Sequence, residues 1–303
     1  MNKKLIASIF CLGLFCTLVA QILPGEDNSF YKGRIVKAPE SVFKMFIEAG
    51  MDPVNHLLTA AEQKKVDQAF SMLPPLHKRI LKEHLHSISF MDNMPNTALT
   101  SPVETVGSVK QFNITFRAGI LNQTISEWAT WKEKTVFDNT ENPALSIQID
   151  AGKLDAILYV LLHEATHVVD IVLNITPHAD KTDSSVVQTA FTKNIWRLSN
   201  KPVAKFTDSL LETTRFRSGA AQPISSATAI YNALKKTPFP SLYGMAAWSE
   251  DIAELISIYH LTDKLHQPFV IYLKENDTVT AVFEPMQNKL VKRRLKQLRI
   301  FYD

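Results

Sequence analysis

The 303-residue chain has two cysteines, Cys11 and Cys16, and both lie in the apolar run Leu5 to Ala20. Without that run no thiol remains, which excludes a disulfide framework and a thiolate metal site from the mature chain. Charge of one sign is equally scarce, since 33 basic residues against 30 acidic ones leave a net +3. Lys3 and Lys4 precede the apolar run, so the rest is nearly neutral and gives no whole-molecule case for a nucleic-acid partner. The run spans 16 residues, short of the roughly 18 or more expected of a membrane span. Basic residues before it and the polar stretch Gly25 to Asn28 after it read as a secretory signal peptide over residues 1–20. Export to the periplasm or the medium is then expected, with no stable membrane insertion after cleavage. Left uncleaved, the same segment would tether the protein to the membrane. Internal repeats and low-complexity tracts are missing, and 46% hydrophobic with 21% charged residues is an ordinary globular composition.

Apolar spacing predicts helices at Ser41 to Ala49, Thr59 to Phe70 and Leu76 to His86, a helical N-terminal section over residues 21–86. The period then changes. Short β-prone runs occur at Ser87 to Met91, Phe112 to Phe116 and Ser146 to Asp150, with turn-forming Asn93, Pro95, Asn96, Ser101 and Pro102 between the first two. From Leu154 a long buried helix is expected, followed by helices at Ser185 to Leu198, Ala227 to Lys235, Ala247 to Leu261 and Pro285 to Phe301. A β-like pair stands at Phe269 to Leu273 and Val279 to Phe283. The reading is an α+β fold, predominantly helical with a small mixed sheet, whose catalytic domain covers residues 87–303.

The chemistry-bearing residues are on the Leu154 helix. His163, Glu164, Ala165, Thr166 and His167 spell H-E-x-x-H, and at about 100° per residue the two imidazoles stand about 40° apart, one turn above each other. Both can reach one zinc ion. Glu164 projects beside them, where a carboxylate can deprotonate water. The bland reading, two histidines that merely satisfy core hydrogen bonds, leaves their desolvation cost on an apolar helix unexplained.

Zinc needs a third protein ligand. Candidates are Asp170, His178, Asp180, Asp183, Glu250, Asp251, Glu254 and His260. Asp170 is three residues past His167 on the same helix, too short and too near to close on the metal, and is expected as a supporting polar neighbour. Glu250 and Glu254 are four apart on a predicted helix, so one can bind metal while the other accepts the second ring N–H of a histidine.

His163 to Asp170, read as H-E-x-x-H-x-V-D, together with Y-G-x-x-x-x-x-E-x-x-A-E at Tyr243, Glu250 and Glu254, resembles the glutamate-liganded zincins related to the anthrax lethal factor catalytic domain and the secreted Pro-Pro endopeptidases. The resemblance is confined to these motifs and the order of elements between Ser87 and Leu265. It implies a zincin-like fold, zinc (Zn2+) on His163, His167 and Glu250, Glu164 as general base, Tyr243 as the hydroxyl that stabilises the oxyanion, and Glu254 in support. The separation of Glu250 from His167, 250 minus 167 or 83 residues, implies an insertion between the two helices.

The expected activity is that of an exported zinc endopeptidase acting on a peptide or protein substrate. The competing reading is an inactive zinc-binding envelope protein that holds a peptide or protein partner in the cleft, and the intact Glu164 argues against it. Trp128, Trp131 and Trp196 read as core or groove walls. The basic stretch with Lys289, Lys292, Arg293, Arg294, Lys296 and Arg299 reads as a solvated helix face.

Overall fold

The computed structural model describes residues 29–103, 109–178, 187–217 and 219–303. The expected leader over residues 1–20, with both cysteines, lies outside the described residues, as do Asp180 and Asp183.

The chain opens with α1 (Glu40–Glu48), the short β1 (Val54–Asn55), α2 (Ala60–Ser71) and α3 (Pro75–His84). Local chemistry sets these starts. Thr59 and Glu62 form a reciprocal capping box at the head of α2, and Pro75 takes the first position of α3, where its missing N–H costs nothing. β2 (Leu85–Asp92), β3 (Ala98–Pro102) and β4 (Phe112–Arg117) follow, and the first sheet has the order β1-β2-β4-β3. β2 and β4 run parallel, whereas β3 is antiparallel to β4 and forms an edge. Next come α4 (Ile125–Lys134), β5 (Phe137–Asp138) and β6 (Leu145–Asp150), then α5 (Ala156–Leu173). After the short ladder of β7 (Trp196–Leu198) and β8 (Lys201–Pro202) stand α6 (Ser209–Glu212), β9 (Gln222–Pro223), α7 (Ala227–Leu234) and α8 (Trp248–Tyr259). The chain closes with β10 (Val270–Glu275), β11 (Thr278–Phe283) and α9 (Lys289–Lys292), and β11-β10-β6 make a second, antiparallel sheet. The fold is mixed α+β with small sheets.

α5 is the axis of the core. Among the described residues it is the one helix long and apolar enough to cross a membrane, but 78% of that window is buried inside the fold, so its apolarity serves packing. α2, α3, α4 and α8 all pack against it, and buried side chains from Tyr31 to Phe301 join one hydrophobic cluster. The helical N-terminal section therefore shares its core with the remainder, and the boundary expected at residue 86 falls inside β2.

The structure departs from the sequence reading at several places. Ser101 and Pro102, read as turn residues, belong to β3, where an edge position tolerates a proline that cannot donate. The helix expected at Ser185 to Leu198 does not form over its described residues. Thr189 and Thr192 bond each other's backbone N–H groups and hydroxyls, a local alternative to the helical ladder, and the segment ends in β7. The helix expected at Pro285 to Phe301 is broken into a 3-10 turn, α9 and a further run of 3-10 turns over Leu295–Phe301. Arg294 is correspondingly no solvated residue. It is buried and grips both carboxylate oxygens of Asp251 at 2.8 and 2.6 Å. Finally, α4 had no counterpart in the periodicity reading, although Thr124 and Glu127 form a second capping box at its head.

Candidate metal centre

The H-E-x-x-H turn lies in the middle of α5, and α8 crosses beside it. Glu250 stands in the first turn of α8, and its Oε2 is 3.0 Å from His163 Nε2 and 3.6 Å from His167 Nε2. One donor atom from each of the three residues lies within 4.8 Å of the other two. For an ion with bonds of about 2.1 Å at tetrahedral angles, neighbouring donors should be about 3.4 Å apart. The donor set, two imidazoles and a carboxylate, therefore fits a single metal ion in size and chemistry, and the three groups can hold one.

Support comes from α8 one turn on. Glu254 Oε1 lies 3.2 Å from His163 Nδ1, and Glu254 Oε2 accepts from Ser241 Oγ at 2.8 Å. A Nδ1–H donated to Glu254 fixes the tautomer of His163 and leaves Nε2 facing Glu250 and the site. Burial opposes a positive charge on His163, yet the hydrogen bonds to Glu250 and Glu254 and their charges outweigh it and raise its pKa to about 9. Burial likewise disfavours the Glu250 carboxylate, but the bond from His163 and the charges of His167, His163 and Lys132 hold it down at about 2. Without metal the site is thus an imidazolium clasped between two carboxylates.

Glu164 sits on the same turn, with one carboxylate oxygen accepting from Thr100 Oγ1 at 2.6 Å. Tyr243 opens the 3-10 turn Tyr243–Met245 that precedes α8, and its ring stacks 5.8 Å from that of His163. Its hydroxyl reaches Glu250, and burial followed by the charges of Glu250 and Glu164 pushes its pKa far above the usual phenol value, so it stays a neutral donor. The Gly244 N–H donates to Ser241 Oγ, which joins this turn to the group that holds Glu254.

The other candidates are engaged elsewhere. The Asp170 carboxylate accepts from Thr176 N and Oγ1, both at 2.6 Å, and pairs with His178 at 3.1 Å. It ties down the chain after α5, where Asn174 turns into the left-handed region, and its partners stand on that segment. Asp251 faces Arg294 and Trp196, and His260 bonds Met72 O and Tyr302.

Three participants carried no sequence signal of their own. Lys132 on α4 places its Nζ 3.4 Å from Glu254 Oε1 and 3.7 Å from the centre of the Tyr243 ring. Thr100 and Ser241 are the others, lone hydroxyls on elements remote in sequence. The capping box of α4 is the one sign that could have drawn attention to Lys132.

His163, Glu164, His167, Tyr243, Glu250, Lys132 and Thr100 line a cleft of about 770 Å³, bordered by Pro95 to Thr100 and by Trp128, Trp131 and Thr135 of the α4 region, while Glu254 and Ser241 stand behind it. The outer edge of β3 borders it. Trp128 and Trp131 form part of its wall, while Trp196 is core. No protein-family model, no curated protein and no solved structure matches this chain.

Proposed function

We propose that the protein is an exported zinc metallopeptidase with a zincin-like catalytic domain, in which His163, His167 and Glu250 hold zinc and Glu164 is the general base. The observation that carries this reading is the convergence of the three donors, 3.0 and 3.6 Å apart at Glu250, beside the Glu164 carboxylate, one oxygen of which is held by Thr100, in an open cleft. Zinc, when bound, supplies a residual positive charge that polarises a carbonyl and acidifies water.

The remaining steps belong to the protein. The edge of β3 offers backbone N–H and C=O groups to an extended peptide, which fits a polypeptide substrate better than a small ligand. Thr100 holds one oxygen of Glu164, so the carboxylate is oriented before substrate arrives. Glu164 takes a proton from the attacking water and delivers it to the leaving nitrogen. The Tyr243 O–H donates to the carbonyl oxygen as negative charge develops there, and the Lys132 ammonium against its ring restrains that side chain. Glu254 keeps His163 in the tautomer that ligation needs.

The test is to load the purified chain with zinc and follow cleavage of a mixed peptide library by mass spectrometry, beside Glu164→Gln. Cleavage by the parent, with about 10²-fold or greater loss in a variant that retains zinc, is expected. A zinc-loaded chain that cleaves nothing would favour the alternative in which the cleft only binds a peptide.

A further inference from the structure

The cleft is electrically lopsided. At its α4 end the lining consists of Trp128, Trp131, Lys132, Thr135, Arg215 and Phe216. Arg117, from the last position of β4, lies over the Trp131 ring at 4.4 Å. Arg215 is exposed and donates to Thr135 O at 3.2 Å, one helical turn from Trp131. Among the described residues neither guanidinium has a carboxylate partner, and Lys132 alone is matched, by Glu254. The carboxylates that line the cleft are Glu164, Glu250 and Asp170, and each is already engaged, by Thr100, by the histidines, and by Thr176 with His178. Trp131 remains 42% exposed with Arg117 over its ring, and it lines the same cleft as Arg215, which is anchored at Thr135 one turn further along α4. Uncompensated arginines over an aromatic surface form a receptor for a planar anion.

We infer that this end of the cleft is a subsite for a peptide carboxylate, bound by Arg215 against Trp131. The inference rests on the peptidase reading and adds polarity to it. Trp128 Nε1 donates to Thr97 Oγ1, while Thr100 bonds Glu164, so the α4 end lies at the N-terminal side of the reacting centre along β3. A peptide pairing antiparallel with β3, as β4 does, carries its C-terminal part to that end. The carboxylate therefore sits on the leaving-group side of the scissile bond. It is either an Asp or Glu side chain or the free C-terminus of a short substrate.

A peptide library scanned with Glu, Gln and Lys at every position, in free-acid and amide forms, separates these sources. The zinc-loaded parent is compared with Arg215→Gln and Arg215→Glu by cleavage. Binding of the same peptides to zinc-loaded Glu164→Gln, with and without Arg215→Gln, is measured by calorimetry. Arg215 is exposed, so its replacement leaves the fold intact. A preference of about tenfold for Glu over Gln on the leaving-group side, abolished by Arg215→Gln and turned toward Lys by Arg215→Glu, supports a side-chain carboxylate. A similar preference for free acids over amides, equally dependent on Arg215, supports the C-terminal one. Cleavage indifferent to Glu, Gln, Lys and the C-terminal group, or a preference unchanged in Arg215→Gln, overturns the subsite and leaves the peptidase reading standing. Carboxylate-dependent binding without cleavage does the reverse, and absence of both removes the two together.

Discussion

Glu254 shows how a single side chain directs a site it does not enter. Its oxygens face His163 Nδ1 and Ser241, and Lys132 lies against it at 3.4 Å. Glu254→Ala is expected to weaken zinc affinity by about 10 to 100-fold without abolishing it, measured by competition with a chromogenic chelator. Tyr243→Phe removes one hydroxyl and keeps the ring between His163 and Lys132, so zinc affinity should stay within twofold or so while turnover falls about 10²-fold. Equal loss of zinc and turnover would mean that Tyr243 supports the ligands instead. At this scale the sequence was readable where spacing carries the chemistry. H-E-x-x-H and the pair Glu250 and Glu254 are set by helical period alone. Lys132, Thr100 and Ser241 were not readable, because their roles arise only when α4, β3 and the Ser241 turn are folded against α5 and α8.

Among the elements, α8 has the most exacting position, since a shift of one helix would move Glu250 and Glu254 together. Asp251, between them, is fully buried and bound bidentately by Arg294, with Trp196 donating to one of its oxygens at 2.8 Å. Arg294 also donates to Pro238 O, so the C-terminal segment clamps α8 from behind. Arg294→Ala leaves the Asp251 charge unpaired in the core and should cost about 3–5 kcal/mol of unfolding free energy in urea titrations. A cost below about 1 kcal/mol would show that the pair merely breaks even with its burial. This clamp also explains why the last predicted helix failed. Its basic residues scan as a solvated face, yet one of them is drawn into the interior by a partner 43 residues earlier, a tertiary pull that periodicity cannot register. Helices and strands with strong local patterns, such as α5, α7, α8, β10 and β11, were legible to within a few residues. The stretch after Val187 was not, because threonine hydroxyls there satisfy the backbone locally.

For the molecule as a whole, two buried histidines, His77 and His260, make stability depend on pH. His77 stacks on Phe301 and bonds Thr166 Oγ1, while its buried Nδ1 has no partner. Burial, with the nearby His260, lowers its pKa to about 3, and burial lowers that of His260 to about 4. Both pKa values lie below the unfolded value of about 6.5, so their stabilisation is complete above that pH and is lost as pH falls toward 4 and then 3. His163 is raised to about 9 in the metal-free chain and acts oppositely, stabilising below about 6.5 and losing that contribution as pH rises through 9. Chelator-treated protein should therefore lose stability on the acid side of pH 6.5, each of the two neutral histidines withdrawing up to about 1.4 kcal/mol per pH unit, offset in part by Glu133, whose burial raises its pKa to about 7 and which stabilises toward lower pH. Urea midpoints that do not fall between pH 6.5 and 5 would contradict this. The most direct test of the central claim, one zinc on His163, His167 and Glu250, is a parallel determination of zinc content and dissociation constant for the parent, Glu250→Ala and Asp170→Ala. The expected result is about one zinc per chain in the parent and in Asp170→Ala and near-complete loss in Glu250→Ala. Zinc retained by Glu250→Ala, or lost from Asp170→Ala while the fold persists, would contradict the assignment.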